Sequence, residues 1–258
     1  MANINPATGG VSYAPFHDSF DAGTVNFPDT WNVDTSVPGQ VTVHSSNYYL
    51  NSGMMEATDS ASTGHGYGTY TVNAMLQGIW PGSAIMLWPG NNQWSGGEID
   101  MAELVHDGSG RHMGVLHWPD PSQPDGDSYD LRVYDPVVLS NAFHQYQVIW
   151  EPQKLTMKVD GVERAVFTEH VPADYEHGGV DRVFAFLNLH PETAVVVTDV
   201  TYQPLAAEPA TATAAPAVAA PAASSDPWAQ FMVNGQIDWD AAAAHVTANH
   251  EATGQWFI

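Results

Sequence analysis

The sequence predicts an all-β fold, a sandwich of two antiparallel sheets with a short C-terminal tail. Three observations predict it. Apolar residues recur with a period of two along several short runs, clusters of Gly, Pro, Asn and Asp separate those runs, and no long helical pattern interrupts them between residues 10 and 205. Parallel pairing would require long crossover segments between strands, and the sequence has none. The chain has 258 residues, 44% of them hydrophobic, with 9 Trp, 10 Tyr and 9 Phe. That content suffices for a core and excludes a wholly disordered chain.

Taken in order, alternating or doubly apolar runs cover residues 67–75, 79–88 and 113–118. Leu155, Met157 and Val159 then alternate with Thr156, Lys158 and Asp160, and Asp160-Gly161 supplies a two-residue hairpin turn that favours positive φ. Further runs cover residues 183–189 and 194–202. Beyond residue 205 the composition changes to Ala, Pro, Thr and Ser, which predicts an extended linker over 206–226. The tail, 227–258, holds an alanine-rich helix candidate starting near Asp238 with Gly254 as its stop. It is too short to fold alone, so docking, association and an export address are all open roles for it.

The formal charge of −23 arises from 6 Lys and Arg set against 29 Asp and Glu. Nucleic acid and anionic membrane surfaces are disfavoured partners for such a chain. With no cysteine, chemistry must come from carboxylates, histidines or hydroxyls. The first residues lack a basic region followed by an apolar one, and no stretch approaches a membrane span. The ending Gln-Trp-Phe-Ile resembles the C-terminal address of bacterial proteins exported without a signal peptide. An extracellular location by such a route is therefore expected beside a cytoplasmic one.

The segment Trp94-Ser-Gly-Gly-Glu-Ile-Asp-Met-Ala-Glu103 is the most informative. On a regular strand Glu98 and Asp100 share a face, whereas Glu103, five positions after Glu98, points the other way. A β-bulge near Met101-Ala102 would return Glu103 to that face, and bulges are common beside active sites. Three adjacent carboxyls raise one another's pKa, which separates a proton donor from an ionised nucleophile. Glycoside hydrolysis needs such a pair, and retaining enzymes hold the two carboxyls about 5 to 5.5 Å apart. Four strand steps put the two Glu Cα atoms roughly 13 Å apart, so the side chains must lean together. An acidic strand face that is simply solvated is the competing reading.

At these residues the sequence resembles glycoside hydrolase family 16, which includes laminarinases and other endo-β-glucanases. Gly97-Glu-Ile-Asp-Met-Ala-Glu103 looks like its bulged acidic signature. The run from Tyr67 to Glu103 is similar to the family's succession of strands leading to that signature. FHQYQVIWEPQKLTMKVDG, residues 143–161, is similar to its hairpin, and VVVTDVTYQPL, residues 195–205, to its closing strand. Residues 16–205 are covered. The resemblance implies a concanavalin-like jelly-roll with a cleft on its concave face. It implies Glu98 as nucleophile, Asp100 as assisting carboxylate and Glu103 as general acid/base. Trp94, Trp88, His117 and Trp118 would bind substrate. It also implies a structural calcium, with Asp199 where a ligand would fall, and no cofactor for catalysis. Met86 departs from the family, standing where many members carry Trp.

The expected activity is retaining hydrolysis of internal β-1,3 or mixed β-1,3/1,4 linkages of a β-glucan, by a monomer without nucleic-acid or membrane partners. An endoglycanase for a bacterial exopolysaccharide and a non-catalytic polysaccharide-binding module are the alternatives. A catalytic zinc has little support, because His112 and His117 should face opposite sides of one strand and no His-Glu-x-x-His spacing occurs. The oxygen-rich stretch from Pro119 to Asp130 lacks the order of an EF-hand and is expected to be a solvated rim loop near the cleft.

Overall fold

Alternation is sharpest over Gly68–Gln77, where Tyr70, Val72, Ala74 and Leu76 are buried and the residues between them are not. Burying one face in this way forces a strand with a single register, because a slip of one residue would turn every apolar side chain to solvent. A computed structural model of the chain describes residues 10–21, 32–45, 53–57, 62–91, 93, 96–124, 126–205, 232–233 and 236–237.

The strands in chain order begin with β1 (Gly10–Ser12), β2 (Phe16–Asp18), β3 (Val33–Asp34), β4 (Val41–Val43), β5 (Gly53–Ala57) and β6 (Ser62–His65). They continue with β7 (Gly68–Gln77), β8 (Ser83–Pro89), β9 (Ile99–Leu104), β10 (His112–Pro119), β11 (Asp127–Val133) and β12 (His144–Glu151). Then come β13 (Lys154–Val159), β14 (Val162–Phe167), β15 (Arg182–Asn188) and β16 (Ala194–Pro204). The first sheet runs β1-β6-β15-β8-β9-β10-β11, with β5 also pairing β15. The second runs β14-β13-β12-β7-β16-β4-β3, with β2 also pairing β16. The pairs are antiparallel except β1 with β6, which is parallel. A two-stranded ribbon, β17 (Met232–Val233) with β18 (Gln236–Ile237), is described within the tail. The linker over 206–226 and the helix candidate near Asp238 lie outside the described residues.

The core lies between the two sheets. Leu87, Ile99, Leu116, Phe184 and Phe186 of the first sheet join Tyr70, Val72, Tyr146, Trp150 and Val197 of the second in one buried cluster. Burial of each such side chain contributes about 1.5–3 kcal/mol. The hairpin forms at Asp160-Gly161 with both φ angles positive, 53° and 76°. The run over 79–88 is shorter than expected, its strand starting at Ser83. Gly78 and Gly82 flank Pro81 with φ of 95° and 106°, which bends the chain and leaves Ile79 and Trp80 exposed. The stretch expected as a rim loop is likewise part strand, since β11 begins at Asp127.

Candidate active site

Strand β9 carries the acidic signature, and its register shows the irregularity directly. Against β8, Ala84 pairs with Glu103 and Ile85 with Ala102, but Met86 pairs with Asp100, so Met101 has no partner of its own. Against β10, Met113 pairs with Glu103 and Val115 with Asp100, leaving Gly114 alone to face two residues. This is the bulge expected near Met101-Ala102. Ile99, Met101, Ala102 and Leu104 all join the core, which leaves Glu98, Asp100 and Glu103 for the opposite, outer face of the sheet. Ala84, Met86 and Ala185, packed with Trp88 and Leu187, form the apolar part of that face.

Two interior side chains stabilise this geometry. A bulge removes a carbonyl from the ladder, and the Tyr134 hydroxyl donates to the carbonyl of Met101. Gly114 makes the approach feasible, because a Cβ there would lie 2.7 Å from that hydroxyl and 2.3 Å from Met157 Sδ. Arg182, fully buried and stacked 5.2 Å from the Trp150 ring, donates to the carbonyls of Gly96 at 2.9 Å, Gly97 at 3.2 Å, Val180 at 2.6 Å and Asp181 at 3.0 Å. It thereby clamps the chain just before Glu98. Gly97 has a φ of 82°, and a Cβ there would meet Arg182 Nη2 at 2.8 Å. The Glu98 carbonyl accepts from the backbone N–H of His117 at 3.0 Å, tying the segment to β10.

The electrostatics follow from this crowding. Glu98 and Asp100 are buried; Glu98 Oε2 and Asp100 Oδ1 lack an aligned hydrogen-bond partner among the described residues, whereas Asp100 Oδ2 faces His117 Nε2 at 3.3 Å. Unpartnered buried oxygens are costly and mark positions kept for something other than stability. Burial, and after it the Asp100 charge, raises Glu98 well above the ordinary glutamate value, while the His117 charge opposes the rise. Glu103, whose surface stays partly exposed, is pushed up to about 8 by burial and then by Asp100. His117 sits beside them with Nε2 at 3.3 Å from Asp100 Oδ2 and Nδ1 at 2.7 Å from Asp127 Oδ2. Burial works against a proton on this ring, but the bonds to Asp100 and Asp127 hold its pKa well above the usual histidine value.

Glu98, Asp100 and His117 bring potential ligand atoms within 4.8 Å of one another. A metal does not fit this trio well, because both His117 nitrogens face carboxylate oxygens, which calls for a protonated ring without a free lone pair. The calcium expectation at Asp199 fails the same kind of test. Its oxygens are met by His17 Nε2 at 2.5 Å, Asn73 Nδ2 at 3.4 Å and Thr201 Oγ1 at 3.3 Å. Each of these groups presents a nitrogen or hydroxyl hydrogen to the carboxylate, not a further anionic oxygen for a hard cation.

Of the sequence-predicted residues, the fold brings Glu98, Asp100, Glu103, His117 and Trp88 to one face. Trp118 does not join them. Strand alternation sends it, with Leu116, to the other side of β10, where it stacks on His170 at 4.1 Å between ring centroids. His112 also faces inward, 3.0 Å from the Tyr146 hydroxyl. Trp94 lies outside the described residues. Sequence reasoning missed Asp127 and Arg182, and it missed Tyr129, which pairs with His117 across β10 and β11. The alternation of Tyr129, Leu131 and Val133 could have revealed a strand facing the acidic residues.

The model of the family described as glycosyl hydrolases family 16 matches residues 24–181. The chain belongs to this family. No curated protein matches the chain in sequence. Among solved structures, a native glycosidic hydrolase is similar with a TM-score of 0.53 and 18% identity, over 78% of this chain and 100% of that one. A structure described with endo-acting O-glycanases of the human gut microbiota that initiate mucin breakdown has a TM-score of 0.57 and 19% identity, over 74% and 99%. A β-1,3-1,4-glucanase from a mouse hindgut metagenome has a TM-score of 0.50 and 15% identity, over 75% and 100%. At these identities the likeness is one of fold, and the two sheets form the family 16 jelly-roll.

Proposed function

We propose that this family 16 protein is a retaining endo-β-glucanase that cleaves internal β-1,3 or mixed β-1,3/1,4 linkages. One observation carries the reading: the bulge in β9 turns Glu98, Asp100 and Glu103 to a single sheet face with His117 beside them. Glu98, as carboxylate, attacks the anomeric carbon while Glu103 gives its proton to the leaving oxygen, forming a glycosyl-enzyme. Glu103 then takes a proton from the water that displaces Glu98. A raised Glu103 suits the first step, since the group holds its proton at neutral pH. The His117 charge favours ionised Glu98. Tyr129, Leu131 and Val133 are exposed in a row on β11, on the face His117 occupies, and offer an uncharged track for the apolar faces of sugar rings. A neutral glycan also suits a chain with a net charge of −23.

The test is product analysis with laminarin, mixed-linkage glucan and a panel of other soluble glycans, for the wild type and Glu98→Gln. The expected outcome is endo-type product release with net retention by the wild type and its loss in the variant, which stays folded with an unfolding midpoint no lower than the wild type's. Wild-type activity in Glu98→Gln overturns the assignment of the nucleophile. Tight binding without product on every glycan leaves a binding module instead.

A further inference from the structure

We propose that Asp127 is a positioning residue for this site, holding His117 protonated and turned toward Asp100. The proposal rests on the active-site reading above and adds a residue from a different strand. Asp127 opens β11 and pairs with Pro119, two positions beyond His117 on β10. Residues two apart on neighbouring strands share a face and lie diagonally within reach of a long side chain. The buried Asp127 carboxylate therefore meets His117 Nδ1 at 2.7 Å, while Nε2 of the same ring points at Asp100, 3.3 Å away. An imidazole between two carboxylates must donate from both nitrogens. Loss of either proton would set a nitrogen lone pair against an anionic oxygen.

The charges around the ring make this arrangement matter. From β9 and the residue just before it the ring is faced by Glu98, Asp100 and Glu103, and from β11 by Asp127 and the ring of Tyr129, whose centroid is 5.6 Å away. Arg182 of β15 adds a second positive charge near Glu98. Burial alone would strip the proton from His117, and the bonds to Asp100 and Asp127 reverse that outcome. A neutral His117 would withdraw the charge that favours ionised Glu98 and Glu103. Asp127 thus acts on the carboxyls through the histidine, without touching the sugar.

Asp127→Asn tests this, because an amide oxygen still accepts from Nδ1 but brings no charge. Two readouts are taken on the full chain: the titration of the His117 ring protons by NMR without substrate, and the pH profile of kcat/KM. In the wild type the His117 midpoint should lie well above the ordinary value near 6.5. In Asp127→Asn its midpoint should fall by about one unit or more, as expected for loss of one adjacent opposite charge. The kcat/KM of the variant should fall relative to the wild type at pH values between its lowered His117 midpoint and that of the wild type, where the charge that favours ionised Glu98 has been withdrawn. Asp127→Glu, which restores the charge, should return both toward the wild type. A wild-type His117 that titrates near 6.5 overturns the proposal even if the Asn variant does not fold, and so does an Asn variant with both readouts unchanged. The NMR midpoint needs no glycan turnover. A raised midpoint in a protein that cleaves nothing therefore removes the enzymatic reading and keeps the Asp127–His117 pair, while an ordinary midpoint in an active glucanase does the reverse.

Discussion

Replacing Glu103 with Gln should make the protein inactive and, at alkaline pH, more stable. The Glu103 carboxyl is raised from 4.5 to about 8, first by burial and then by Asp100. A group whose folded-state pKa is raised binds its proton more tightly in the native state. Its contribution is complete below about pH 4.5 and is lost as pH climbs through about 8. The shift of about 3.5 units, at about 1.36 kcal/mol each, sets a ceiling of about 5 kcal/mol on the cost of the charged form. Glu103 keeps some contact with solvent, which screens its charge, so about 2 to 3 kcal/mol is expected at pH 9. For a domain of this size that corresponds to a rise of roughly 5 to 10 °C in Tm. Thermal and urea unfolding of wild type and Glu103→Gln at pH 4.5 and pH 9, with laminarin hydrolysis measured alongside, provide the assay. The gain should be present at pH 9 and nearly absent at pH 4.5. Equal stabilities at pH 9, or the same gain at both pH values, would refute the account of a carboxyl strained by its surroundings.

Three further outcomes follow from the same geometry. kcat/KM of the wild type should decline above about pH 8 as Glu103 loses the proton it donates, and a profile flat to pH 10 would remove Glu103 from the role of acid. Tyr134→Phe deletes the donor to the Met101 carbonyl and should cost about 1–3 kcal/mol in urea unfolding, with a fall in kcat as the bulge loosens. A neutral effect on both would show that the bulge stands without it. Arg182→Lys keeps the charge but not the planar fork that spans Gly96 and Gly97, so a loss of roughly 2–4 kcal/mol and a reduced kcat are expected. A variant with wild-type stability would mean that this clamp is dispensable.

The parts of the site legible in sequence are those in which spacing and alternation disagree. Glu98 and Asp100 are two apart, Glu103 is five from Glu98, and the apolar residues Ile99, Met101, Ala102 and Leu104 cannot all face one way without an extra residue in the strand. That contradiction is itself the signature of a bulge. Asp127 was hidden for the opposite reason. It closes a stretch of Pro, Asp, Ser and Gly that reads as loop, and the period-two alternation of Tyr129, Leu131 and Val133 presents apolar side chains to an open face instead of a core. Arg182 was hidden because a single arginine next to an aspartate reads as surface, and full burial of arginine is rare. Its four carbonyl partners come from turns whose approach no local pattern encodes. Trp118 was misplaced by one position: once His117 faces the acids, its neighbour must face away.

Tyr134 and Arg182 show that the acidic face is not simply laid on top of a finished sandwich. Both act from the inner side of the sheet, one on the extra residue of the bulge and the other on the two glycines that lead into Glu98. The face they support gathers three carboxyls that repel one another and leaves oxygens of Glu98 and Asp100 without aligned partners. A strand of a small isolated sheet would relieve that repulsion by slipping one residue and turning Glu103 inward or outward. Here the slip is blocked, because it would break the Tyr134 bond and push the core residues Ile99 and Leu104 toward solvent. Interior substitutions at these positions should therefore register in catalysis as well as in unfolding, and a distance from the carboxyls is a poor guide to which residues matter for the chemistry.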